Sequence, residues 1–541
     1  MAARDYITLF DTTLRDGQQT PGVDFSLAEK IEIAGILDRL GLDYVEGGYP
    51  GANPVDTSFF REKRTKSAKF TAFGMTKRSG VSTSNDPGLA GLLAAEADAI
   101  CLVAKAWDYH VHVALGCTLE ENLESLSASI AAVTAKGFEA LVDCEHFFDG
   151  WKANPEYALT VARTAFDSGA RWVVLCDTNG GTQPAEIRAA VDAMIKSGIP
   201  GTNLGIHAHD DTGQAVANSF AAVEAGVRLI QGTLNGIGER CGNANLTTII
   251  GTLGLKPHYS NRFEIGVSPA NLARLAKVSA GFDEILNRVS NPQAPFVGAS
   301  AFATKAGIHA SAIAKEPATY EHVEPHLVGN KRRVMVSDQG GKSNFISELS
   351  ARGIHVDKAD PKLDLLISLV KEREAMGYAY ESAEASFELL ARRTLGNSVP
   401  DFFNVESFRC LIERRYDANR ELKTVSEATV KLIVDGQTRM SVAEGNGPVN
   451  ALDQALRKDL GRYQAELSDM ELVDYKVRIL TGGTEAVTRV LIESTDNSKS
   501  RWWTLGVSDN IIDASFQALM DSVVFKLMKN RGDVKALAAA E

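Results

Sequence analysis

The chain has 541 residues, 44% of them hydrophobic and 23% charged, the proportions of an ordinary globular protein with room for two or three domains. Its formal net charge of −12 argues against general nucleic-acid binding, although the local basic run Lys331-Arg332-Arg333 is compatible with a phosphorylated ligand. Six cysteines, none in C-x-x-C, read as small buried hydrophobes in a reducing compartment; with no apolar leader and no run long enough to span a bilayer, the expected location is the cytoplasm, with no membrane partner.

In chain order, an apolar strand-like run recurs up to about residue 255: Ile7–Leu14, Tyr44–Gly48, Phe70–Met75, Ala99–Ala104, Ala140–Glu145, Trp172–Asp177, Leu204–His209 and Leu229–Leu234. Amphipathic helical segments lie between most of them. The clearest is Leu27–Leu40, with Ser26 as N-cap and Gly41 as stop. Pro87, Pro155 and Pro184 open others. Strands that alternate with helices and read as continuous apolar runs predict a parallel sheet. Eight such units fit a closed (β/α)8 barrel; the rival, an open doubly wound sheet, lacks a G-x-G-x-x-G after the first strand.

Barrel sites lie at the C-terminal strand ends, and the polar residues gather there. The first strand ends in Arg15-Asp16, the second in Glu46-Gly47-Gly48, the fifth in Asp143-Cys144-Glu145-His146, the sixth in Asp177-Thr178-Asn179-Gly180 and the seventh in His207-Ala208-His209-Asp210. On a strand, His207 and His209 point to one face. Two imidazoles and a distant carboxylate make a candidate divalent metal site. Arg15-Asp16 taken alone also reads as a structural ion pair.

Asp11-Thr12-Thr13-Leu14-Arg15-Asp16-Gly17-Gln18-Gln19, His207–Gly213 and Gly236–Asn243 carry the patterns D-T-T-L-R-D-G-x-Q, H-x-H-D-D-T-G and G-x-G-E-R-x-G-N. Together, over essentially the whole chain, they resemble the Claisen-condensing acyltransferase family that holds the 2-isopropylmalate, citramalate and homocitrate synthases; its lyase cousins share the barrel. The resemblance implies condensation of acetyl-coenzyme A with a 2-oxo acid, followed by hydrolysis of the thioester. It implies a metal held by Asp16, His207, His209 and Asn243, and oxygen and nitrogen donors without thiolate suit Mn²⁺ or Mg²⁺, with Zn²⁺ as the alternative. Arg15 is then both a substrate-binding residue and the stabiliser of the developing alkoxide. Thr178 donates to the substrate carboxylate, and Glu145 is a catalytic candidate for substrate contact or proton handling. The stretches Glu145–Gly150 and Trp502–Ser508 look most like the branch that takes pyruvate and feeds isoleucine synthesis. The alternatives are the 2-oxoisovalerate branch of leucine synthesis and a carbon–carbon lyase.

Residues 1–260 are thus expected to form the catalytic barrel and 261–404 a helical connector. In the connector, Gly307-Ile308-His309 resembles the family segment that completes the active site from a neighbouring subunit. His309 is the candidate general base, its ordinary pKa lying near working pH; without the resemblance it reads as a capping or surface histidine. Tyr320 is a candidate substrate-binding residue. Ser337–Ser343 mimics a phosphate loop but has Val336 where the first glycine belongs, and is rejected. Residues 405–541 carry short strands and two helices, and Gly445–Leu456 matches Ser508–Leu519 at an offset of 63 residues. This duplicated α+β module resembles the family's regulatory domain, which implies a homodimer with isoleucine as effector; the alternative is a dimerisation module without ligand.

Overall fold

The computed structural model describes residues 4–62, 65–286, 288–313, 315–334, 342–396, 399–416, 420–480 and 486–532. Contacts divide the chain into two units. One runs to Phe302 and includes Val323–Arg332; the other takes Ala303–His322 and the chain from Arg333 onward.

The first unit is built on a closed eight-stranded parallel barrel. Its strands are β1 (Thr8–Asp11), β2 (Tyr44–Gly48), β3 (Lys69–Met75), β4 (Ala99–Lys105), β5 (Glu139–Glu145), β6 (Trp172–Asp177), β7 (Leu204–Ala208) and β8 (Leu229–Gly232). β8 closes on β1 with Leu9 opposite Ile230. Alternate residues point inward, so Phe10, Tyr44, Cys101, Leu141, Trp172 and Val174 fill the barrel. A second layer, including Ile33, Leu37, Val161 and Ile187, packs between strands and helices; each such side chain contributes about 1.5–3 kcal/mol by burial.

Helix α1 (Leu27–Leu40) begins and ends where its sequence predicts. Ser26 Oγ accepts from Glu29 N at 3.3 Å while the Glu29 carboxylate accepts from Ser26 N at 2.7 Å, a reciprocal cap. Gly41 stops the helix at φ 101°, which a side chain would strain. Helices also open at Pro87, Pro155 and Pro184.

Three strands end earlier than expected, and each end has a local cause. β1 stops at Asp11 because that carboxylate turns back to accept from Thr13 N and Oγ1, both at 2.8 Å. Thr12 O then accepts from the backbone N–H groups of Arg15, Asp16 and Gly17. Arg15 and Asp16 therefore sit on a tight turn above the strand. β7 stops at Ala208 because His209 forms an isolated bridge with Asn243. β8 stops at Gly232 because Leu234 N donates to Thr13 Oγ1 at 2.8 Å.

In the second unit, helices Lys342–Ala351, Pro361–Ala375 and Glu384–Leu395 precede two three-stranded antiparallel sheets. The first sheet is β9 (Asn404–Tyr416), β10 (Leu422–Val434) and β11 (Gln437–Gly445), followed by α2 (Pro448–Lys458). The second is β12 (Glu471–Ile479), β13 (Thr488–Thr495) and β14 (Arg501–Ser508), followed by α3 (Ile511–Asn530). The repeat is visible in single bonds. Ser441 Oγ donates to Ala455 O at 2.6 Å, and 63 residues on Thr504 Oγ1 donates to Ala518 O at 2.8 Å. The repeats share one core, with Val430, Leu432 and Leu456 of the first against Ile492, Trp502 and Leu519 of the second.

Residues 337–341 of the phosphate-loop mimic lie outside the described residues. Among the described residues, the six cysteines are free and no helix is long and apolar enough to cross a membrane.

Candidate active site and metal centre

Four of the expected ligands meet at the C-terminal mouth of the barrel. Asp16 Oδ2, on the turn after β1, lies 3.1 Å from His207 Nε2 and 3.8 Å from His209 Nε2. The two imidazole Nε2 atoms are 3.2 Å apart. Asn243 Nδ2, on the loop after β8, lies 2.8 Å from Asp16 Oδ2 and 3.2 Å from His207 Nε2. All four side chains are buried. The loop that brings Asn243 in depends on Gly238, where a Cβ would fall 1.9 Å from Asn243 Oδ1.

The donor set fits a divalent cation. Asp16, His207 and His209 each offer one ligand atom, all within 4.8 Å of one another, and Asn243 Oδ1 is buried without a partner among the described residues. A carboxylate and two imidazoles suit Mn²⁺, Mg²⁺ or Zn²⁺, and Asn243, whose Nδ2 faces Asp16 and His207, would add its amide oxygen on turning the amide over. Burial opposes the charge on Asp16, yet Arg15, His207 and His209 hold its carboxyl well below the usual range. Burial and the neighbouring His207 pull His209 down to about 4. At neutral pH His209 therefore carries no charge and has a lone pair to offer.

Arg15 stands beside this cluster. Its Nε donates to Glu46 Oε2 at 2.7 Å, its Nη1 is 3.6 Å from Asp16 Oδ2, and its guanidinium lies 3.9 Å from the centre of the Phe73 ring. Burial works against the guanidinium's charge, but Glu46, Asp16 and Asp143 keep it protonated. Beneath it, Lys30 Nζ reaches Leu14 O at 2.9 Å, Gly47 O at 3.3 Å and Asp56 Oδ1 at 2.5 Å. One buried ammonium thus ties the peptide before Arg15 to the peptide after Glu46.

The other expected residues fall into three places. Thr178, on the turn after β6, accepts at Oγ1 from His146 N at 2.8 Å, and its carbonyl accepts from Arg240 Nη2 at 2.7 Å. Glu145 ends β5 and is ion-paired with Lys105 at the end of β4. His309 and Tyr320 belong to the second unit, where their rings lie 4.2 Å apart between centres, tilted by 30°.

Sequence reasoning placed Glu46 at the mouth without a role and missed Lys30, Lys105 and Gln231 as functional positions. Gln231 had a signal, being the one strongly polar side chain within the apolar strand Leu229–Gly232. Lys30 had none, because its place on α1 looks like any surface lysine.

A parallel barrel with an Asp-His-His-Asn cluster and an arginine at its mouth, followed by a duplicated α+β module, defines an HMGL-like enzyme with an appended regulatory-type domain. Residues 6–278 match the HMGL-like family, 296–373 the homocitrate synthase post-HMGL domain-like family and 381–527 the LeuA allosteric (dimerisation) domain. The chain is 48% identical to the (R)-citramalate synthase of Aquifex aeolicus, covering 98% of this chain and 99% of that one. It is 46% identical to the (R)-citramalate synthase of Synechocystis, covering 96% of each chain, and 41% identical to that of Sulfolobus acidocaldarius, covering 97% of each. The chain belongs to the (R)-citramalate synthase family.

Proposed function

We propose that the protein condenses acetyl-coenzyme A with pyruvate and hydrolyses the thioester to release (R)-citramalate. The observation that carries this is the convergence of Arg15, Asp16, His207, His209 and Asn243 at one barrel mouth, in a chain that aligns end to end with (R)-citramalate synthases.

The methyl protons of a thioester are weakly acidic, so the reaction needs a base, a polarised ketone and a cation for the new alkoxide. A divalent metal on Asp16, His207, His209 and Asn243 would supply Lewis-acid polarisation and a template for the 2-oxo acid. Arg15, fixed by Glu46 and Phe73, presents permanent positive charge where the alkoxide forms. Thr178 Oγ1 already accepts from His146 N, which leaves its hydroxyl hydrogen free to donate to the substrate carboxylate. Glu145, held by Lys105, lines the same mouth as a substrate contact. His309, its ring 4.2 Å from that of Tyr320 between centres, is the base that a neighbouring subunit supplies to take the methyl proton.

In this reading residues 1–260 are catalytic, 261–404 complete the site and 405–541 regulate it. The LeuA match over 381–527 supports a homodimer and an effector site, and isoleucine is the effector suited to a pyruvate-using branch. The protein works in the cytoplasm, in branched-chain amino-acid synthesis.

The test is thiol release from acetyl-coenzyme A with a panel of 2-oxo acids, with chiral analysis of the product. Pyruvate should give the highest kcat/KM and (R)-citramalate the product. A preference for 2-oxoisovalerate would move the protein to the leucine branch, and cleavage without condensation would make it a lyase.

A further inference from the structure

The two histidines of the cluster are held in different ways. His207 Nδ1 lies 2.7 Å from Gln231 Oε1, and the other end of that amide, Gln231 Nε2, donates to Asp143 Oδ1 at 2.9 Å. His207, Gln231 and Asp143 are all buried. A carboxylate only accepts, so the amide turns its NH₂ to Asp143 and its carbonyl to His207. A carbonyl also only accepts, so the hydrogen of the neutral ring sits on His207 Nδ1. Nε2 faces the Asp16 carboxylate at 3.1 Å and His209 Nε2 at 3.2 Å; without a cation it donates to Asp16, and it is the nitrogen that gives up its hydrogen when a cation binds. His209 has no such tether, its Nδ1 being buried without a hydrogen-bond partner among the described residues.

We infer that Gln231, oriented by Asp143, is a positioning residue that locks a hydrogen on His207 Nδ1, the tautomer whose Nε2 a divalent cation can take in place of the contact with Asp16. The cation's part rests on the function proposed above; the tautomer does not. The three residues come from β7, β8 and β5, with Gln231 and Asp143 88 positions apart in sequence. The lock therefore exists only once the barrel has closed, which places rigid strands rather than loops behind the first ligand shell. Asp143 in turn sits within 4.8 Å of Glu46 and Cys101, a buried floor that leaves it little room to turn away.

Two substitutions separate the lock from mere packing. Gln231→Leu removes both hydrogen bonds at similar volume. Gln231→Glu keeps an acceptor for His207 Nδ1 and, protonated on its other oxygen, a donor for Asp143. Mn²⁺ titrations of the metal-stripped full chain, read by the loss of the free-ion electron paramagnetic resonance signal, should show roughly 10- to 100-fold weaker binding for Gln231→Leu. Gln231→Glu should stay close to the parent. In parallel, ¹⁵N-histidine solid-state NMR of metal-free protein, with His207 assigned by its absence in His207→Gln, should show a hydrogen on Nδ1 in the parent and its loss from Nδ1 in a substantial fraction of Gln231→Leu. If Gln231→Leu does not fold, Gln231→Met takes its place. A parent that binds no Mn²⁺ but shows Nδ1–H would keep the lock and sink the metal role. The lock itself is overturned by a metal-free parent whose His207 Nδ1 carries no hydrogen, or by a folded leucine or methionine variant that binds Mn²⁺ as tightly as the parent.

Discussion

Arg15 has two jobs at once, to neutralise the carboxylates around it and to keep charge in reserve for the substrate. Glu46 takes its Nε, while Phe73 supports the guanidinium plane. Arg15→Lys would keep the charge but lose the planar fork, so a single ammonium would have to choose between Glu46 and the alkoxide. We expect turnover to fall by roughly 100-fold or more, the usual cost of one lost oxyanion donor, with Mn²⁺ affinity nearly unchanged because Asp16, His207 and His209 stay in place. Steady-state kinetics beside a metal titration check this. Near-parent turnover would reduce Arg15 to a partner for Glu46 and Asp16.

Among the elements, α1 does more for the site than its amphipathic face suggests. Lys30 is fully buried and holds Leu14 O, Gly47 O and Asp56 together. Lys30→Met should cost about 3–5 kcal/mol, because it strands the Asp56 carboxylate in the interior. Urea denaturation of the single variant and of Lys30→Met with Asp56→Asn checks this, since the second change should recover part of the loss. A cost for the single variant below about 1 kcal/mol would mean that water replaces the ammonium. α1 also shows how far sequence reading reaches. Its ends were legible because Ser26, Glu29 and Gly41 act on neighbours within a turn. The burial of Lys30 was not, because its partners lie 16, 17 and 26 positions away and only the closed barrel gathers them. The strand ends follow the same rule. Apolar alternation carried β1 to Leu14, whereas the Asp11–Thr13 turn cut it at Asp11. Asp16, His207, His209 and Asn243 were legible through their motifs, and the side chains that aim them, Gln231 and Asp143, were not.

On the scale of the whole molecule, each of the two units has buried cores of its own among the described residues. Ile33, Leu37 and Val161 belong to one, and Leu432, Leu456 and Trp502 to the other; a third cluster, with Phe345, Leu366 and Leu505, stays within the second. We expect calorimetry to resolve two transitions. Mn²⁺ should raise the barrel transition and isoleucine the other, each by about 2.7 kcal/mol of stabilisation at a hundredfold excess over its dissociation constant. A single transition that both ligands move together would show that the units unfold as one.

The bond from Ser441 to Ala455, echoed by Thr504 to Ala518, carries a historical consequence. The two repeats bury their helices against each other, so an ancestor with one copy would have had to pair with a second chain to cover the same surface. Carrying both copies in one chain makes that pairing internal and removes the need for the copies to be identical. The second holds the ion pair of Lys526 with Asp496, 2.8 Å apart, on a helix of 20 residues where the first repeat's helix has 11. What was once a symmetric partnership between equals is now a pair of paralogues within one gene, free to drift toward different duties.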